Sequence, residues 1–249
     1  ASLEKDGAKV EDGKLLPEAL RISHYDFLRR LTSFREGRFI VQDESSMLAG
    51  LASGVKPGDY VIDVCAAPGG KSLHISELMH HTGQVDARDL TEYKIGLIQE
   101  NIKRIGVNNV KTTVMDATRL DETSIGKADV VIADLPCSGL GVIGNKSDIK
   151  YNVSKEQIMQ LVALQRKILS VVSRYVKPGG TLVYSTCTVN RLENDENVKW
   201  IEEHLPFRRK DFGSAMPEKL KSENGCLQIF IGDYGMDGFF ISTFEKIKG

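Results

Sequence analysis

Segments with strand character alternate with segments of helical periodicity from residue 59 to residue 204, and this alternation is the strongest constraint on the fold. Five short runs rich in β-branched residues predict strands over 60–65, 84–89, 110–116, 128–136 and 181–186. Helices are predicted over 72–80, 92–105, 154–175 and 193–204, and a turn over 177–180. Because parallel strands need crossover connections, the pattern predicts an α/β fold with a mostly parallel sheet covered by helices on both faces.

The two ends of the chain depart from this alternation. Residues 226–231 and 239–244 are apolar runs separated by the turn-forming stretch GDYGMDG. They predict a C-terminal β-hairpin, which brings the expected number of strands to seven. The first forty residues do not join the alternation. We therefore expect an N-terminal extension over residues 1–40 and one α/β domain over residues 41–249.

The charge balance gives no general support for nucleic-acid binding. The chain of 249 residues carries 33 Lys and Arg against 34 Asp and Glu, a net charge of −1, whereas nucleic-acid-binding domains are commonly basic. A local exception lies in residues 20–40, where five arginines stand against Asp26 and Glu36. They are Arg21, Arg29, Arg30, Arg35 and Arg38. This segment is either a solvated face or an RNA-contacting surface.

Several absences from the sequence bear on location and on metals. No apolar run reaches the roughly 20 residues of a membrane span, and the polar first residues do not resemble a signal peptide. The four cysteines show no CxxC spacing, so no zinc or redox motif is indicated. We expect a cytoplasmic protein with no membrane segment and no metal site. The five histidines have no ligand spacing and are expected to be solvated surface residues.

A glycine-containing loop, DVCAAPGGK over residues 63–71, follows the first predicted strand and leads into the first helix of the domain. Ligands of open α/β sheets bind just beyond the carboxyl ends of the strands. Gly69 and Gly70 let backbone N–H groups approach a ligand closely, and a helix N-terminus favours a carboxylate or phosphate. The loop is not a P-loop, because Val64 occupies the position of that motif's first glycine.

Acidic residues at later strand ends indicate a nucleoside ligand. Asp89 ends the second predicted strand, where a carboxylate can bind both ribose hydroxyls. Asp116 ends the third, near the expected place of an adenine. Taken singly, each aspartate is equally consistent with a helix or turn cap. Suitable groups at three strand ends in register favour the nucleoside interpretation.

A second glycine pattern lies in SGLGVIG, where Gly139, Gly141 and Gly144 have the GxGxxG spacing of dinucleotide-binding proteins. It follows the fourth predicted strand instead of the first. No helix is predicted after it until Ser154. We therefore reject the dinucleotide interpretation.

Two cysteines follow two neighbouring predicted strands. Cys137 lies in DLPCSG (134–139) after the fourth strand, and Cys187 lies in STCT (185–188) at the end of the fifth. Both are expected at one edge of the sheet beside the glycine loop, where two thiols near a nucleoside ligand suggest thiolate chemistry. Cys65 and Cys226 are interpreted as small buried apolar side chains, the commonest role of a free cysteine.

Together, DVCAAPGGK, DLPCSGLG and STCT closely resemble the RNA cytosine-5 methyltransferases of the Nol/Nop/Sun family, especially its bacterial Sun (Fmu) group, which acts on small-subunit (16S) ribosomal RNA. FIVQDESS (39–46) and DGFF (237–240) also look like that family. The resemblance covers about residue 37 to the C-terminus. It implies a Rossmann-like, S-adenosylmethionine-dependent methyltransferase fold. It also implies that residues 1–40 are the remnant of an RNA-binding subdomain.

The resemblance implies roles for individual residues. Cys187 of the TC motif would be the nucleophile, and Cys137 of the PC motif would assist release of the methylated RNA. Asp134 would face the polar edge of the cytosine, and Lys71 is counted with it among the catalytic residues. S-adenosylmethionine would be held by Cys65, Ala66, Ala67, Pro68, Gly69, Gly70, Lys71, Asp89, Asp116 and Asp134.

The chemistry of cytosine explains why such an enzyme needs a thiolate. Carbon-5 is a poor nucleophile, and addition of the Cys187 thiolate to carbon-6 makes carbon-5 enamine-like. An unperturbed cysteine has a pKa of roughly 8.5, so the site should favour the anion. The base must also leave its stack, which implies a looped or locally unfolded RNA.

Other functions stay open as alternatives. A DNA cytosine-5 methyltransferase would use the PC cysteine and an ENV motif. ENV occurs at residues 196–198, but within a predicted helix, and is interpreted as coincidence. Amino-group methyltransferases carry an NPPY-like tetrapeptide where this chain has DLPC. Transfer RNA as the substrate, or a cofactor-binding RNA or ribosome-assembly factor without catalysis, are the remaining alternatives.

Overall fold

The computed structural model describes residues 2–144, 153–214, 216–220, 222 and 224–248. The helices of this part are α1 (Ser2–Lys5), α2 (Thr32–Arg35), α3 (Glu44–Ser53), α4 (Gly70–Leu78), α5 (Glu92–Ile105), α6 (Lys155–Val172) and α7 (Asp195–His204). The strands are β1 (Lys9–Asp12), β2 (Leu20–Ser23), β3 (Tyr60–Asp63), β4 (Gln84–Asp89), β5 (Val110–Val114), β6 (Ala128–Asp134), β7 (Val176–Thr186), β8 (Phe207–Arg209), β9 (Cys226–Ile229) and β10 (Phe239–Lys246).

One large sheet forms the centre of the fold. Its strand order is β5-β4-β3-β6-β7-β10-β8, and β9 also pairs with β10. The pairs among β3 to β7 are parallel, whereas β10 is antiparallel to β7, β8 and β9. Five parallel strands therefore end at the same edge of the sheet. The antiparallel strand β10 begins at that edge, with Phe240 opposite Thr186.

Helices cover both faces of this sheet. On one face, α3, α4 and α5 bury apolar side chains such as Leu48, Leu73 and Ile98 against the strands. On the other face, α6 and α7 bury residues such as Leu169 and Ile201. Burying an aliphatic side chain of this size contributes about 1.5–3 kcal/mol. The two clusters and the sheet between them make three layers.

Helix ends follow local sequence signals. Ser154 accepts a hydrogen bond from the Gln157 N–H, and the Gln157 side chain accepts one from the Ser154 N–H, which is a capping box at the start of α6. Helix α5 begins after Thr91, whose hydroxyl accepts from the Lys94 N–H. It ends at Gly106, which has a left-handed backbone with φ of 82°.

The predicted α/β fold is confirmed, and all seven predicted strands are present. The large sheet has eight strands instead of seven, because Phe207–Arg209 add β8 beside β10. Three residues are too few to show an alternating pattern, so β8 was missed. The predicted turn at 177–180 is instead a bulge within β7, where the register with β6 shifts between Val176 and Thr181.

Residues before α3 form a small unit of their own. Strands β1 and β2 pair antiparallel, and Leu3, Ala8 and Leu31 form a separate apolar cluster. The buried Glu44 carboxylate accepts hydrogen bonds of 2.6–3.0 Å from the backbone N–H groups of residues 14–16. Arg104 of α5 donates to two backbone carbonyls of this unit. The small unit is therefore attached to the domain through both α3 and α5.

The five arginines of residues 20–40 have partners within the protein. They are Arg21 with the Gly235 carbonyl, Arg29 with Glu100, Arg30 with Asp26, Arg35 with the Thr32 hydroxyl, and Arg38 with Glu36. The three ion-paired arginines remain at the surface, and the exposed fraction of each arginine side chain is between 60% and 87%. A role for this face in RNA contact stays a prediction.

The expectation that all five histidines are solvated is wrong for His74. Its side chain lies between α4 and α3, where a Cβ added at Gly50 would come within 2.8 Å of its Nδ1. That Nδ1 is buried and has no hydrogen-bond partner. Burial lowers the pKa of His74, because desolvation disfavours the charged imidazolium.

His74 should therefore make stability depend on pH. The pKa of His74 in the folded protein lies below its value of about 6.5 in the unfolded chain. As the pH falls, the unfolded chain therefore binds the proton first, and the free energy of unfolding decreases below pH of about 6.5. Between pH 7.5 and 5.5 the wild type should lose about 1 kcal/mol more unfolding free energy than His74→Gln. Urea unfolding at both pH values measures this. The exposed His204→Gln variant should behave like wild type, and equal losses in all three proteins would contradict the argument.

Candidate functional site

The predicted site residues gather at the edge where β3, β4, β6 and β7 end. Register brings the ends of β6 and β7 level, with Asp134 opposite Ser185. The Leu135 N–H donates to the Ser185 carbonyl at 3.1 Å, which extends the pairing one residue beyond the strand. The loops that follow carry Cys137 and Cys187, so both thiols lie at this edge as expected.

The glycine loop connects β3 with α4. The Gly69 backbone is left-handed, with φ of 103°, and a Cβ there would lie 3.1 Å from Ile98. No side chain caps the N-terminus of α4, so its first backbone N–H groups have no side-chain acceptor. A helix end of this kind favours an anion such as the carboxylate of an amino acid.

Asp89 holds the glycine loop from the end of β4. Its buried carboxylate accepts hydrogen bonds from the N–H groups of Ala67 at 3.0 Å and Leu90 at 2.7 Å. The Lys94 ammonium lies 3.0 Å from it. Asp116, one strand further, accepts from the Thr118 N–H and hydroxyl, which lowers its pKa. Asp116 thus caps a turn, Asp89 fixes the glycine loop, and both lie at the edge where the parallel strands end.

Asp63, the first residue of the glycine-loop motif, was not singled out from the sequence. It is fully buried at the end of β3, where one carboxylate oxygen accepts from the Ser72 hydroxyl at 2.7 Å and the other has no partner. Burial raises the pKa of Asp63 to about 7. Its place at the head of the motif was the available signal.

The two cysteines of the PC and TC motifs are in contact. Cys137 Sγ and Cys187 Sγ are 3.2 Å apart, which is hydrogen-bond distance for sulfur. The hydrogen bond from Cys137, together with the Lys71 cation, lowers the pKa of Cys187. The same hydrogen bond and burial raise the pKa of Cys137 well above its usual range. Cys187 is therefore the more acidic thiol of the pair, and Cys137 is the one that keeps its proton to higher pH.

The cation that acts on Cys187 is Lys71, which forms an ion pair with Asp134 at the same edge of the sheet. Lys71 Nζ lies 2.7 Å from the Asp134 carboxylate and 5.1 Å from the centre of the Phe239 ring. Asp134 also accepts from the Ser185 hydroxyl at 2.7 Å. Both charged side chains are largely buried, so their field is screened little by water. The structure thus brings Lys71, Asp134, Cys137 and Cys187 together.

Gly141, the middle glycine of the rejected GxGxxG pattern, lies where three segments of backbone come close together. The Gly141 N–H donates to the Cys187 carbonyl at 2.9 Å, and the Gly141 carbonyl accepts from the Gly238 N–H at 2.8 Å. A Cβ at Gly141 would lie 2.1 Å from the Gly238 carbonyl oxygen. A glycine is needed there because the PC loop, the TC loop and the start of β10 meet without room for a side chain.

The two remaining cysteines are half-buried and pack against the core beneath the sheet. They are Cys65 and Cys226. Burial raises the pKa of both thiols. Neither takes part in the contact between the PC and TC loops.

A cavity of about 560 Å³ beside the sheet is not lined by either cysteine of the pair. Its lining runs along β4 from Gln84 to Arg88 and includes Tyr60 at the start of β3. Arg88 pairs there with Asp86 at 2.7 Å and with Asp121 at 3.3 Å. The charges of Arg88, Asp86 and Asp121 pair with one another. This cavity is therefore a weaker candidate for a reactive site than the cysteine pair.

The described part of the chain shows neither a membrane-spanning helix nor a metal-binding cluster. No helix there has the length and apolar character required to cross a membrane. No cluster of three or more His, Cys, Asp or Glu side chains there is arranged to hold a metal ion.

A sheet of this order, with a glycine loop after its central first strand and carboxylates at the neighbouring strand ends, defines a Rossmann-like S-adenosylmethionine-dependent methyltransferase fold. The uncapped α4 N-terminus suits the carboxylate of that cofactor, and the unpartnered Asp63 oxygen and the strand-end carboxylates suit its donor and cationic groups. The chain belongs to the family described as 16S rRNA methyltransferase RsmB/F, whose model matches residues 51–245.

Curated relatives agree with this assignment. The chain is 40% identical over 246 residues to the "Probable ribosomal RNA small subunit methyltransferase B" of Bacillus subtilis (strain 168), covering 97% of this chain and 55% of the relative. It is 35% identical over 219 residues to "Ribosomal RNA small subunit methyltransferase F" of Escherichia coli O9:H4 (strain HS), covering 85% of this chain and 46% of that protein. The chain thus spans about half the length of the curated relatives it matches.

Solved structures share the fold. The crystal structure of PH0851 superposes with a TM-score of 0.91 at 33% identity, covering 98% of this chain and 55% of that chain. The structure of NSun6 from Pyrococcus horikoshii with SFG has a TM-score of 0.80 at 30% identity, covering 93% of this chain and 60% of that chain.

The unequal acidity of the two thiols can be measured without any substrate. In wild type, Cys187 should react with iodoacetamide at lower pH than Cys137, since the thiolate is the nucleophile. Lys71→Met should move the pH midpoint of Cys187 alkylation upward by about one unit, because the cation is lost while the Asp134 charge stays. Peptide mass spectrometry after timed alkylation from pH 5 to pH 10 gives both profiles.

The matched control is Lys199→Met, which removes a surface lysine that pairs with Glu196 on α7. Its alkylation profiles should be those of wild type. Faster alkylation of Cys137 than of Cys187 in wild type would contradict the assignment of the thiolate.

Proposed function

We propose that this protein methylates carbon-5 of a cytosine in RNA, with Cys187 as the nucleophile and S-adenosylmethionine as the methyl donor. The observation that carries the proposal is the contact of 3.2 Å between Cys137 and Cys187, in which Cys187 is the more acidic partner. A thiolate with a thiol donor beside it suits a reaction in which sulfur must first attack and later leave.

In the proposed reaction, the Cys187 thiolate adds to carbon-6 and forms a carbon–sulfur bond. The electrons of the 5,6 double bond move onto carbon-5 and the ring. Carbon-5 then forms a bond to the methyl group, whose bond to the donor's sulfonium sulfur breaks with its electron pair left on sulfur, so that the donor would leave as the neutral thioether S-adenosylhomocysteine. The carbon-5 proton next passes to solvent, and its bonding electrons restore the double bond. The carbon–sulfur bond breaks, and Cys187 leaves as a thiolate that the Cys137 thiol stabilises by a hydrogen bond. Cys137 thus assists release.

Lys71 and Asp134 are proposed as the polar pair beside the cytosine ring. Negative charge develops on the ring when sulfur adds, and a hydrogen bond at N3 or a nearby cation stabilises it. The Lys71 cation interacts electrostatically with Cys187, and Lys71 Nζ lies 2.7 Å from the Asp134 carboxylate. The Lys71 cation, which favours the Cys187 thiolate against the opposing charge of Asp134, would therefore also stabilise the adduct.

The cofactor would be held by the glycine loop and the strand ends around it. The residues are Cys65, Ala66, Ala67, Pro68, Gly69, Gly70, Lys71, Asp89, Asp116 and Asp134. The hydrogen bond from the Ala67 N–H to Asp89 supports this set, because it fixes the loop against the next strand end. The cofactor supplies an electrophilic methyl group at the site.

Small-subunit (16S) ribosomal RNA is the proposed substrate. The support is the printed description of the matching family and of the relatives B and F. Residues 1–40 are proposed as an RNA-contacting extension, with the exposed arginines and the exposed Phe27 as its contact groups. Transfer RNA is the second candidate substrate, and the same assay separates the two.

Methyl transfer from radiolabelled S-adenosylmethionine to unmodified small-subunit ribosomal RNA tests the proposal. Wild type should place label in 5-methylcytosine. Cys187→Ala should lose roughly 10³-fold or more of the rate, because the variant lacks the thiolate that adds to carbon-6. Cys137→Ala should form a protein–RNA adduct that accumulates, because the departing thiolate loses its hydrogen-bond donor.

The matched control for these variants is Cys226→Ala, which removes a thiol away from the pair. Its rate should stay within about twofold of wild type. Label that survives Cys187→Ala and disappears with Cys137→Ala would move the nucleophile to the PC motif, as in DNA cytosine-5 methyltransferases. Cofactor binding without transfer to ribosomal or transfer RNA would favour a non-catalytic RNA-binding factor.

A further inference from the structure

Glu193 is a buried carboxylate directly beneath the PC loop, in the segment between β7 and α7. It has no exposed surface. One carboxylate oxygen accepts from the Ser138 N–H at 2.9 Å and from the Gln165 side-chain amide at 3.1 Å. The other accepts from the Ser138 hydroxyl at 2.5 Å. Ser138 follows Cys137 directly, so the position of the Cys137 backbone depends on Glu193.

The same buried network also reaches the TC loop. The Ser138 hydroxyl lies 2.8 Å from the Thr188 hydroxyl, one residue beyond Cys187. Asn194, next to Glu193, donates to the Thr188 carbonyl at 2.9 Å and accepts from the Thr186 hydroxyl at 2.7 Å. Both cysteines are thus flanked by residues that Glu193 and Asn194 hold.

The hydrogen bonds of Glu193 do not by themselves explain why this buried residue is a carboxylate. Burying a carboxylate is costly unless it is paired, and no lysine or arginine within the described ranges forms an ion pair with Glu193. A glutamine there would satisfy the same hydrogen bonds. Its carbonyl would accept from the Ser138 N–H and Gln165, and its amide would donate to the Ser138 hydroxyl. Geometry alone therefore does not require a carboxylate.

We propose that Glu193 is a positioning residue that increases the difference between the two cysteines: it fixes the PC loop so that the Cys137 thiol points at Cys187, and its buried negative charge favours the protonated form of Cys137. A negative charge close to Cys137 disfavours a second anion there and leaves Cys187 as the thiolate. The proposal deepens the proposed function and rests on it for its consequence in the reaction, since a protonated Cys137 is the donor that stabilises the leaving thiolate.

The charges around the pair agree with this role. The hydrogen bond to Cys187 is the largest cause of the raised pKa of Cys137, burial adds to it, and the Glu193 charge acts in the same direction. Lys71 and Asp134 face Cys187 from α4 and β6. From beneath, β7 contributes Tyr184, whose hydroxyl donates to the Glu193 carbonyl, and α6 contributes Arg166, which is bound to Asn197.

Glu193→Gln tests the charge while it keeps the shape and the hydrogen bonds. The readout is the pair of pH profiles for iodoacetamide alkylation of Cys137 and Cys187, which needs neither RNA nor methyl transfer. We expect the Cys137 midpoint to fall, so that the gap between the two profiles narrows, while burial and the hydrogen bond to Cys187 keep the profiles apart. The control is Glu196→Gln, an exposed glutamate of α7 that pairs with Lys199, and its profiles should stay apart as in wild type.

Ser138→Ala separates the charge from the packing. It removes the hydroxyl contacts with Glu193 and Thr188 but keeps the carboxylate and the backbone N–H bond. The separation between the two profiles should persist in this variant. A Cys137 midpoint unchanged from wild type in folded Glu193→Gln would overturn the proposal, as would a collapse of the separation in Ser138→Ala. If Glu193→Gln does not fold, the Ser138→Ala result decides.

The consequence for the reaction is a second, independent readout. In the methyl-transfer assay, Glu193→Gln should accumulate several-fold more covalent protein–RNA adduct than Glu196→Gln, because Cys137 is then less often protonated when Cys187 leaves. A failure of methyl transfer in wild type would refute the proposed function while leaving the alkylation result to judge Glu193. Unchanged adduct levels together with unchanged alkylation would reduce Glu193 to a structural residue.

Discussion

The parallel pairing of β6 with β7 is the constraint on which the candidate site depends. It sets Asp134 opposite Ser185 and lets the chain continue paired as far as Leu135. Two loops that leave adjacent strands in register have little freedom to separate. Backbone hydrogen bonds from Gly141 to the TC loop and from Gly238 to the PC loop close the remaining gap. Residues 50 positions apart in sequence thereby come into sulfur–sulfur contact.

Chemical difference between the two identical thiols comes from what surrounds them. Cys187 receives a hydrogen bond and lies near the Lys71 cation, whereas Cys137 gives that hydrogen bond and lies near the Glu193 carboxylate. Partial burial makes each of these interactions stronger than it would be in water. The same principle acts on Asp63 and His74, whose pKa values move because burial disfavours their charged forms.

Much of the fold followed from local pattern, and the misses have identifiable causes. The β-branched runs and the glycine loop correctly predicted β3, β4, β6 and the presence of α4, because strand burial and turn chemistry depend on adjacent residues. Helix α4 begins at Gly70, two residues before the predicted start. Strand β8 was missed because it forms only by pairing with β10, and His74 was misplaced because its burial depends on α3 packing over α4. Glu193 was treated as an ordinary helix residue because nothing nearby in sequence indicates that Ser138 lies above it.

By itself, the sequence determined the α/β alternation, the family resemblance and the residue types of the site, because periodicity, turn residues and motif spacing are properties of neighbouring residues. Only the tertiary structure decided that Cys137 and Cys187 touch, that their surroundings make Cys187 the more acidic of the two, and that Glu193 lies beneath the PC loop. Those properties arise from distances between residues far apart in the chain and from the low dielectric of a buried site. Neither quantity is defined until the sheet has formed and its helices have packed against it.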